Sequence, residues 1–151
     1  MAKTPIDNLD RRLLSALEVD GRLSHAELSR RLGISPPAIA ERIARLIDTG
    51  VIIGFHAILD PAAFGLTQEA VVEFTPFGPD YEKSVALVKT FGEVRQAYRV
   101  TGTAFLILLV RVSSNAHLNE LLLKIASLGH TKTSVVLEAE VENRQLIGTA
   151  V

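Results

Sequence analysis

The stretch GISPPAIAERIARL, residues 33–46, sets two prolines directly ahead of an amphipathic run. Proline breaks a helix from the inside, but the first helical positions have no intrahelical N–H bond to lose. Ser35 is a favoured N-cap, Pro36 takes the first helical position and Pro37 the second, so the pair marks a helix start. Downstream, Ile39, Ile43 and Leu46 fall on one stripe, with Ile47 beside them expected to face inward. Ala38, Glu41, Arg42 and Arg45 share the opposite surface, and Gly50 ends the helix.

Upstream, IDNLDRRLLSALEVDGRLS places Ile6, Leu9, Leu13, Ala16 and Leu17 at helical spacing, with Asp7 as N-cap and Gly21 as the stop. Ser24 and Glu27 form an S-x-x-E capping box ahead of Leu28 and Leu32, and Gly33 suits a left-handed helix end. Three short helices with a tight glycine-containing turn before the last make a helix-turn-helix. In that reading small Ala38 allows close approach to base edges, and Arg42 and Arg45 reach bases or phosphate. A plain three-helix core, with Glu41 and Arg45 as an ordinary i,i+4 ion pair, satisfies the same pattern. Downstream, VIIGFHAILD reads as an extended segment closed by Pro61.

Past the turn LDPAAFG, the segment LTQEAVVEFTPF is strand-like and ends at Pro76. Residues 80–91, DYEKSVALVKTF, place Tyr81, Val85 and Val88 at helical spacing, with Gly92 as the stop. VRQAYRV and TAFLILLVRV follow as two β-rich segments joined at Thr101-Gly102, a hairpin signal. SSNAHLNELLLKIASLG is a second helix through Leu118, Leu121, Leu122, Ile125 and Leu128. TKTSVVLEAEVE closes as a strand, with Leu137, Ala139 and Val141 alternating against Glu138, Glu140 and Glu142. The order β-α-β-β-α-β is a ferredoxin-like split unit, whose helices cover one face of the sheet and leave the other in need of a partner.

Composition narrows the function classes. With 16 basic and 17 acidic residues and a net charge of −1, affinity for nucleic acid cannot come from bulk positive charge and must come from a local surface. A hydrophobic fraction of 48% in 151 residues fits apolar surface buried against another copy of the chain. Cysteine is absent, which excludes disulfides and thiolate metal sites. The apolar run Ala104 to Val110 is far short of the roughly 20 residues a membrane helix needs, and MAKTPIDNLDRRLL lacks a signal-peptide core, so a cytoplasmic location is expected. His25, His56, His117 and His130 show no metal-binding spacing, and no nucleophile elbow, phosphate loop or dinucleotide fingerprint occurs. No catalytic residue, metal or cofactor is therefore expected.

A helix-turn-helix followed by one βαββαβ module resembles the Lrp/AsnC (feast/famine) family of transcription regulators. The resemblance runs from about Ile6 to Val141 and rests on LDRRLLSALEVDGRLS, AELSRRLGIS, RIARLIDTGVIIGFHAILDP, YRVTG and TKTSVVL, in that order. It implies an α+β protein with an N-terminal (winged) helix-turn-helix domain over residues 1–50 and a linker strand over 51–65. A ferredoxin-like, RAM-type domain for ligand binding and oligomerisation would follow over 66–151. It also implies a homodimer assembling to an octamer, binding of double-stranded DNA through the third helix, and an amino-acid effector.

Carried over by position, the DNA-facing candidates are Ser35, Pro37, Ala38, Glu41, Arg42 and Arg45. Pro36 and Pro37 remove two N–H groups that could hold phosphate, so anchoring falls to Arg30 and Arg31 or to the arm near Arg11 and Arg12. The effector candidates are Thr101, Gly102, Thr103 and Ala104, with Tyr98 and Val100 before them, and Thr131, Thr133 and Ser134. Two departures stand beside the expected pocket. TGTAF replaces the family's T-G-D-Y-D, which leaves no carboxylate at the turn for an α-ammonium group, and SLGHTKTS is shorter than the usual turn there. Sirohaem decarboxylases resemble the same architecture, so an enzyme is one alternative. An oligomeric co-regulator that has lost effector sensing or DNA binding is another.

Overall fold

The computed structural model describes residues 5–78, 81–141 and 146–147. These divide into two compact units, one within Met1–Ile58 and Val141–Val151, the other Leu59–Glu140.

The first unit is built on α1 (Asn8–Val19), α2 (His25–Leu32) and α3 (Pro36–Asp48). Every start carries the cap its sequence specifies. Asp7 accepts from the Asp10 N–H at 2.7 Å, Ser24 from the Glu27 N–H at 3.2 Å and Ser35 from the Ala38 N–H at 3.4 Å. Between α2 and α3 the chain turns at Gly33, whose φ of 76° is one that L side chains rarely adopt, and Ser29 Oγ donates to the Ile34 carbonyl at 2.5 Å across the turn. Leu13, Leu28, Leu32, Ile39 and Leu46 form the core, with Leu9, Leu17 and Ile43 packed around it. Ile47 corrects the sequence reading. It is 47% exposed, because Leu46 completes the buried stripe and the next residue is already turned off it.

The extended segment expected at 51–60 forms no ladder with another strand of the chain among the described residues. Val51 and Ile52 pack against the three-helix core, whereas Ile53 at 93% and Ile58 at 82% exposure stand in solvent.

The second unit opens with a 3-10 turn, Pro61–Phe64, and continues β1 (Gln68–Pro76), α4 (Tyr81–Val88), β2 (Val94–Arg99), β3 (Leu106–Val112), α5 (Asn115–Ala126) and β4 (Gly129–Val135). The sheet order is β2-β3-β1-β4, and every neighbouring pair is antiparallel. Ala70, Val72 and Phe74 of β1 and Leu106, Leu108, Val110 and Val112 of β3 point to one face, where Val88, Leu118, Leu121 and Ile125 of the helices cover them. Burying such side chains contributes about 1.5–3 kcal/mol each. The opposite face carries Val71, Ile107 and Leu109, bracketed by the ion pairs Arg111–Glu69 and Lys132–Glu73.

Two strand limits differ from the sequence reading. β3 begins at Leu106 and not at Thr103, because the chain is still turning through Gly102, whose φ is 116°. β4 begins earlier, at Gly129, and stops at Val135. Its last backbone bond runs from the Val136 N–H to the Glu69 carbonyl, and β1 begins at Gln68, so the alternating residues beyond have no neighbour to pair with. Leu137 is 97% exposed and Val141 59%, and neither buries an apolar face. Glu142, expected in the same strand, lies outside the described residues.

Candidate functional site

The N-terminus of α3 offers no free N–H to a ligand. Pro36 and Pro37 have none, and the Ala38 N–H is taken by Ser35 Oγ. Pro36, Pro37 and Glu41 are exposed and Ala38 is half-buried.

Arg42 and Arg45 do not extend freely into solvent. Both fold back onto α1. Arg42 Nη1 donates to Asp7 Oδ2 at 2.8 Å and to Asp10 Oδ1 at 2.7 Å. Arg45 Nη2 donates to both oxygens of Asp10 at 2.7 Å. The Asp10 side chain is fully buried, while those of Arg42 and Arg45 keep 28% and 35% of their surface. Asp10 Oδ2 also accepts from the Asp7 N–H at 3.2 Å, so Asp10 closes the α1 capping box and anchors α3 at once. Burial alone would raise the Asp10 carboxyl, but hydrogen bonds from Arg45 and Arg42 outweigh it and hold it below the ordinary 3.8. Asp7 is also lowered, first by the Asp10 N–H and then by Arg42, and Arg42 is raised by the same two carboxylates.

This arrangement replaces the Glu41–Arg45 pair that helix spacing allows. Arg45 is committed to Asp10, and Glu41 has no hydrogen bond or ion pair among the described residues. Arg30 and Arg31 are exposed in the last turn of α2, where cations complement the helix dipole. Asp10 is the residue that sequence reasoning missed here. Its spacing from Asp7 is a capping signal, but its arginine partners lie 32 and 35 residues away.

In the second unit, Thr103, Ala104 and Thr131 line one groove together with Glu73, Thr75, His130 and Lys132. Thr75 Oγ1 donates to the Thr103 carbonyl at 3.3 Å, tying the turn to β1. Lys132 Nζ lies 3.0 Å from Glu73 Oε1. Glu73 of β1 thus places a carboxylate beside the turn, with an ammonium next to it, and neither residue is singled out by the TGTAF motif. The groove holds about 130 Å³, below the roughly 300–1,000 Å³ of ligand pockets, so one chain alone does not enclose a ligand there.

The other effector candidates do not converge on it. Thr133 sits opposite Val72 on the helix-covered face, whereas Ser134 sits opposite Val71 on the open face. Tyr98 shares the open face opposite Ile107, and its hydroxyl donates to Gln96 Oε1 at 2.6 Å. Val100, Thr101 and Gly102 are exposed in the turn. Among the described residues, no group of three His, Cys, Asp or Glu side chains is placed to hold a metal ion, and no helix is long and apolar enough to cross a membrane.

Both units match known families. Residues 6–47 match the AsnC-type helix-turn-helix domain, and residues 69–146 the Lrp/AsnC ligand binding domain. The chain is 34% identical over 145 residues to the HTH-type transcriptional regulator LrpA of Mycobacterium tuberculosis, covering 94% of this chain and 97% of that protein. It is 34% identical over 149 residues to the leucine-responsive regulatory protein of Salmonella typhimurium, covering 94% and 91%. A feast or famine regulatory protein from M. tuberculosis, solved in complex with L-methionine, superposes with a TM-score of 0.86 at 34% identity, covering 95% of this chain and 99% of that one. The likeness takes in both units in the order the chain lays them out, at an identity that fold alone does not require: the chain belongs to the Lrp/AsnC family of transcription regulators.

Proposed function

We propose that this regulator binds double-stranded DNA through α3, as a homodimer that assembles further to an octamer, in the cytoplasm, and that an amino acid modulates it. The observation that carries the reading is the capped helix-turn-helix, which holds α3 on a small buried core and leaves the surface of its first two turns open. Ser35, Pro37, Ala38 and Glu41 meet the base edges, and Arg30 and Arg31 hold phosphate. Arg42 and Arg45 act mainly by fixing α3 against Asp10. Two such helices in a dimer meet successive major grooves about one helical turn apart. The chain acts by binding and not by catalysis. A preparation of the protein that is colourless supports this over a sirohaem decarboxylase, and a haem-like absorbance retained through purification rejects it.

For the effector, we place the α-ammonium group at Glu73 and the α-carboxylate at Lys132, beside the Thr103–Ala104 turn, with a second copy closing the groove. The relative solved with L-methionine makes methionine the first ligand to test. A ligand present at 100 times its dissociation constant stabilises the folded state by about 2.7 kcal/mol, which a thermal-shift panel of the amino acids detects readily. Stabilisation that is lost in Glu73→Gln supports the placement. No shift with any amino acid rejects effector sensing and leaves the DNA assignment standing. That assignment is tested by gel shift on the protein's own upstream DNA, with loss of the complex at high salt.

A further inference from the structure

We infer that Glu41 is a specificity-determining residue of the DNA-reading surface, accepting a hydrogen bond from the exocyclic amino group of a base in the major groove, N4 of cytosine by preference. The inference rests on α3 being the reading helix. Pro37, Glu41, Ala44 and Asp48 are all exposed and recur at i, i+4, i+7 and i+11, so they form one ridge along α3. The first half of a recognition helix is the part that meets base edges. The polar groups around it are engaged within the protein. Ser35 Oγ caps the Ala38 N–H, Arg42 is bound to Asp7 and Asp10, and Arg45, in the last turn, is bound to Asp10. Glu41 presents a carboxylate with no hydrogen bond or ion pair among the described residues, flanked by the short apolar side chains of Pro37 and Ala38, which allow close approach.

A carboxylate only accepts hydrogen bonds. In the major groove the donors available to it are the amino groups of cytosine and adenine, and Glu pairs with the former. Charge sharpens the choice. A carboxylate among phosphates weakens binding to every sequence and recovers the loss only where an amino hydrogen faces it. Glu41 therefore widens the ratio between specific and nonspecific affinity, which is the quantity a regulator needs in a genome. It suits a chain with a net charge of −1, whose nonspecific grip is small from the outset.

The test uses the full-length protein, a random duplex pool, and the variants Glu41→Ala and Glu41→Gln. Glu41 is exposed and unpaired, so both variants are expected to melt with the wild type. The wild type selects cytosine at one position of each half-site, and replacing that pair weakens binding about 5- to 150-fold in fluorescence anisotropy. Glu41→Ala flattens that position, keeps the rest of the motif and binds nonspecific duplex more tightly. Glu41→Gln moves the preference toward adenine, with which Gln pairs at N6 and N7. Adenine selected by the wild type at that position supports an amino contact through N6 instead. An unchanged motif in Glu41→Ala overturns the inference and leaves α3 as the reading helix. A wild type that selects no motif overturns the DNA-reading assignment, and this inference with it.

Discussion

Asp10 is the residue on which the first unit turns. A carboxylate with no exposed surface survives only when its lone pairs are filled, and here the Asp7 N–H and two guanidinium groups fill them. Removing one partner of a fully buried pair costs about 3–5 kcal/mol, and partly exposed arginines recover some water, so Asp10→Asn is expected to cost about 1–3 kcal/mol at neutral pH in urea unfolding. The pH dependence has a definite sign. The Asp7 and Asp10 carboxyls lie below 3.8 in the fold, so as pH falls the unfolded chain takes up these protons first. The clamp's contribution is present above 3.8 and is lost as pH drops through the lower folded values. Wild type and Asp10→Asn are therefore expected to differ most at pH 7 and to converge in melts recorded below about pH 4, and a gap that stays constant rejects the clamp as its source.

At the scale of elements, the caps rank by geometry. The Asp7 cap bond is 2.7 Å and the Ser35 bond 3.4 Å, so Asp7→Ala is expected to lower the denaturant midpoint more than Ser35→Ala, which costs under about 1 kcal/mol. The prolines lessen what Ser35 must do, since they leave fewer N–H groups at the α3 start to satisfy. In the sheet, Gly129 is where β4 meets the end of β1. A Cβ there would lie 2.7 Å from Phe74 Cε2 and from Pro76 Cα, and closer still to the Thr75 carbonyl. Two of these neighbours are backbone, so Gly129→Ala is expected to cost about 2–3 kcal/mol or to prevent β4 from pairing, read as early loss of amide-exchange protection over residues 129–135.

At the scale of the whole molecule, exposed apolar surface supports the proposed assembly. Ile53, Phe55, Ile58 and Leu59 are 93%, 51%, 82% and 63% exposed in one stretch, and this extended segment pairs with no strand among the described residues. Substituting Ile53 and Ile58 together by Asp is expected to shift sedimentation equilibrium toward monomer and to leave the far-ultraviolet spectrum unchanged, because neither side chain belongs to a core. Equal association by wild type and variant would remove this segment from the interface. On the proposed reading through α3, DNA affinity is expected to fall as association is lost, since a single recognition helix reads only one half-site.

The sequence alone determined what neighbouring residues decide. Ser24 with Glu27 and Ser35 with Pro36 set helix starts, Gly33 set the turn, and the apolar spacing gave the three-helix core and the order of strands and helices, because caps, turns and periodicity act over a few residues. Only the tertiary structure decided which groups are free to act. Arg42 and Arg45 looked available on their own helix and are held by a carboxylate from another. Thr133 and Ser134 are neighbours in sequence and sit on opposite faces of the sheet, while Glu73 arrives from a distant strand to stand beside the turn. The alternating residues after Val135 read as a strand and form none, because a strand exists only where another backbone lies alongside it. Local chemistry fixes the elements, and the pairing of groups far apart in the chain fixes what each residue can bind.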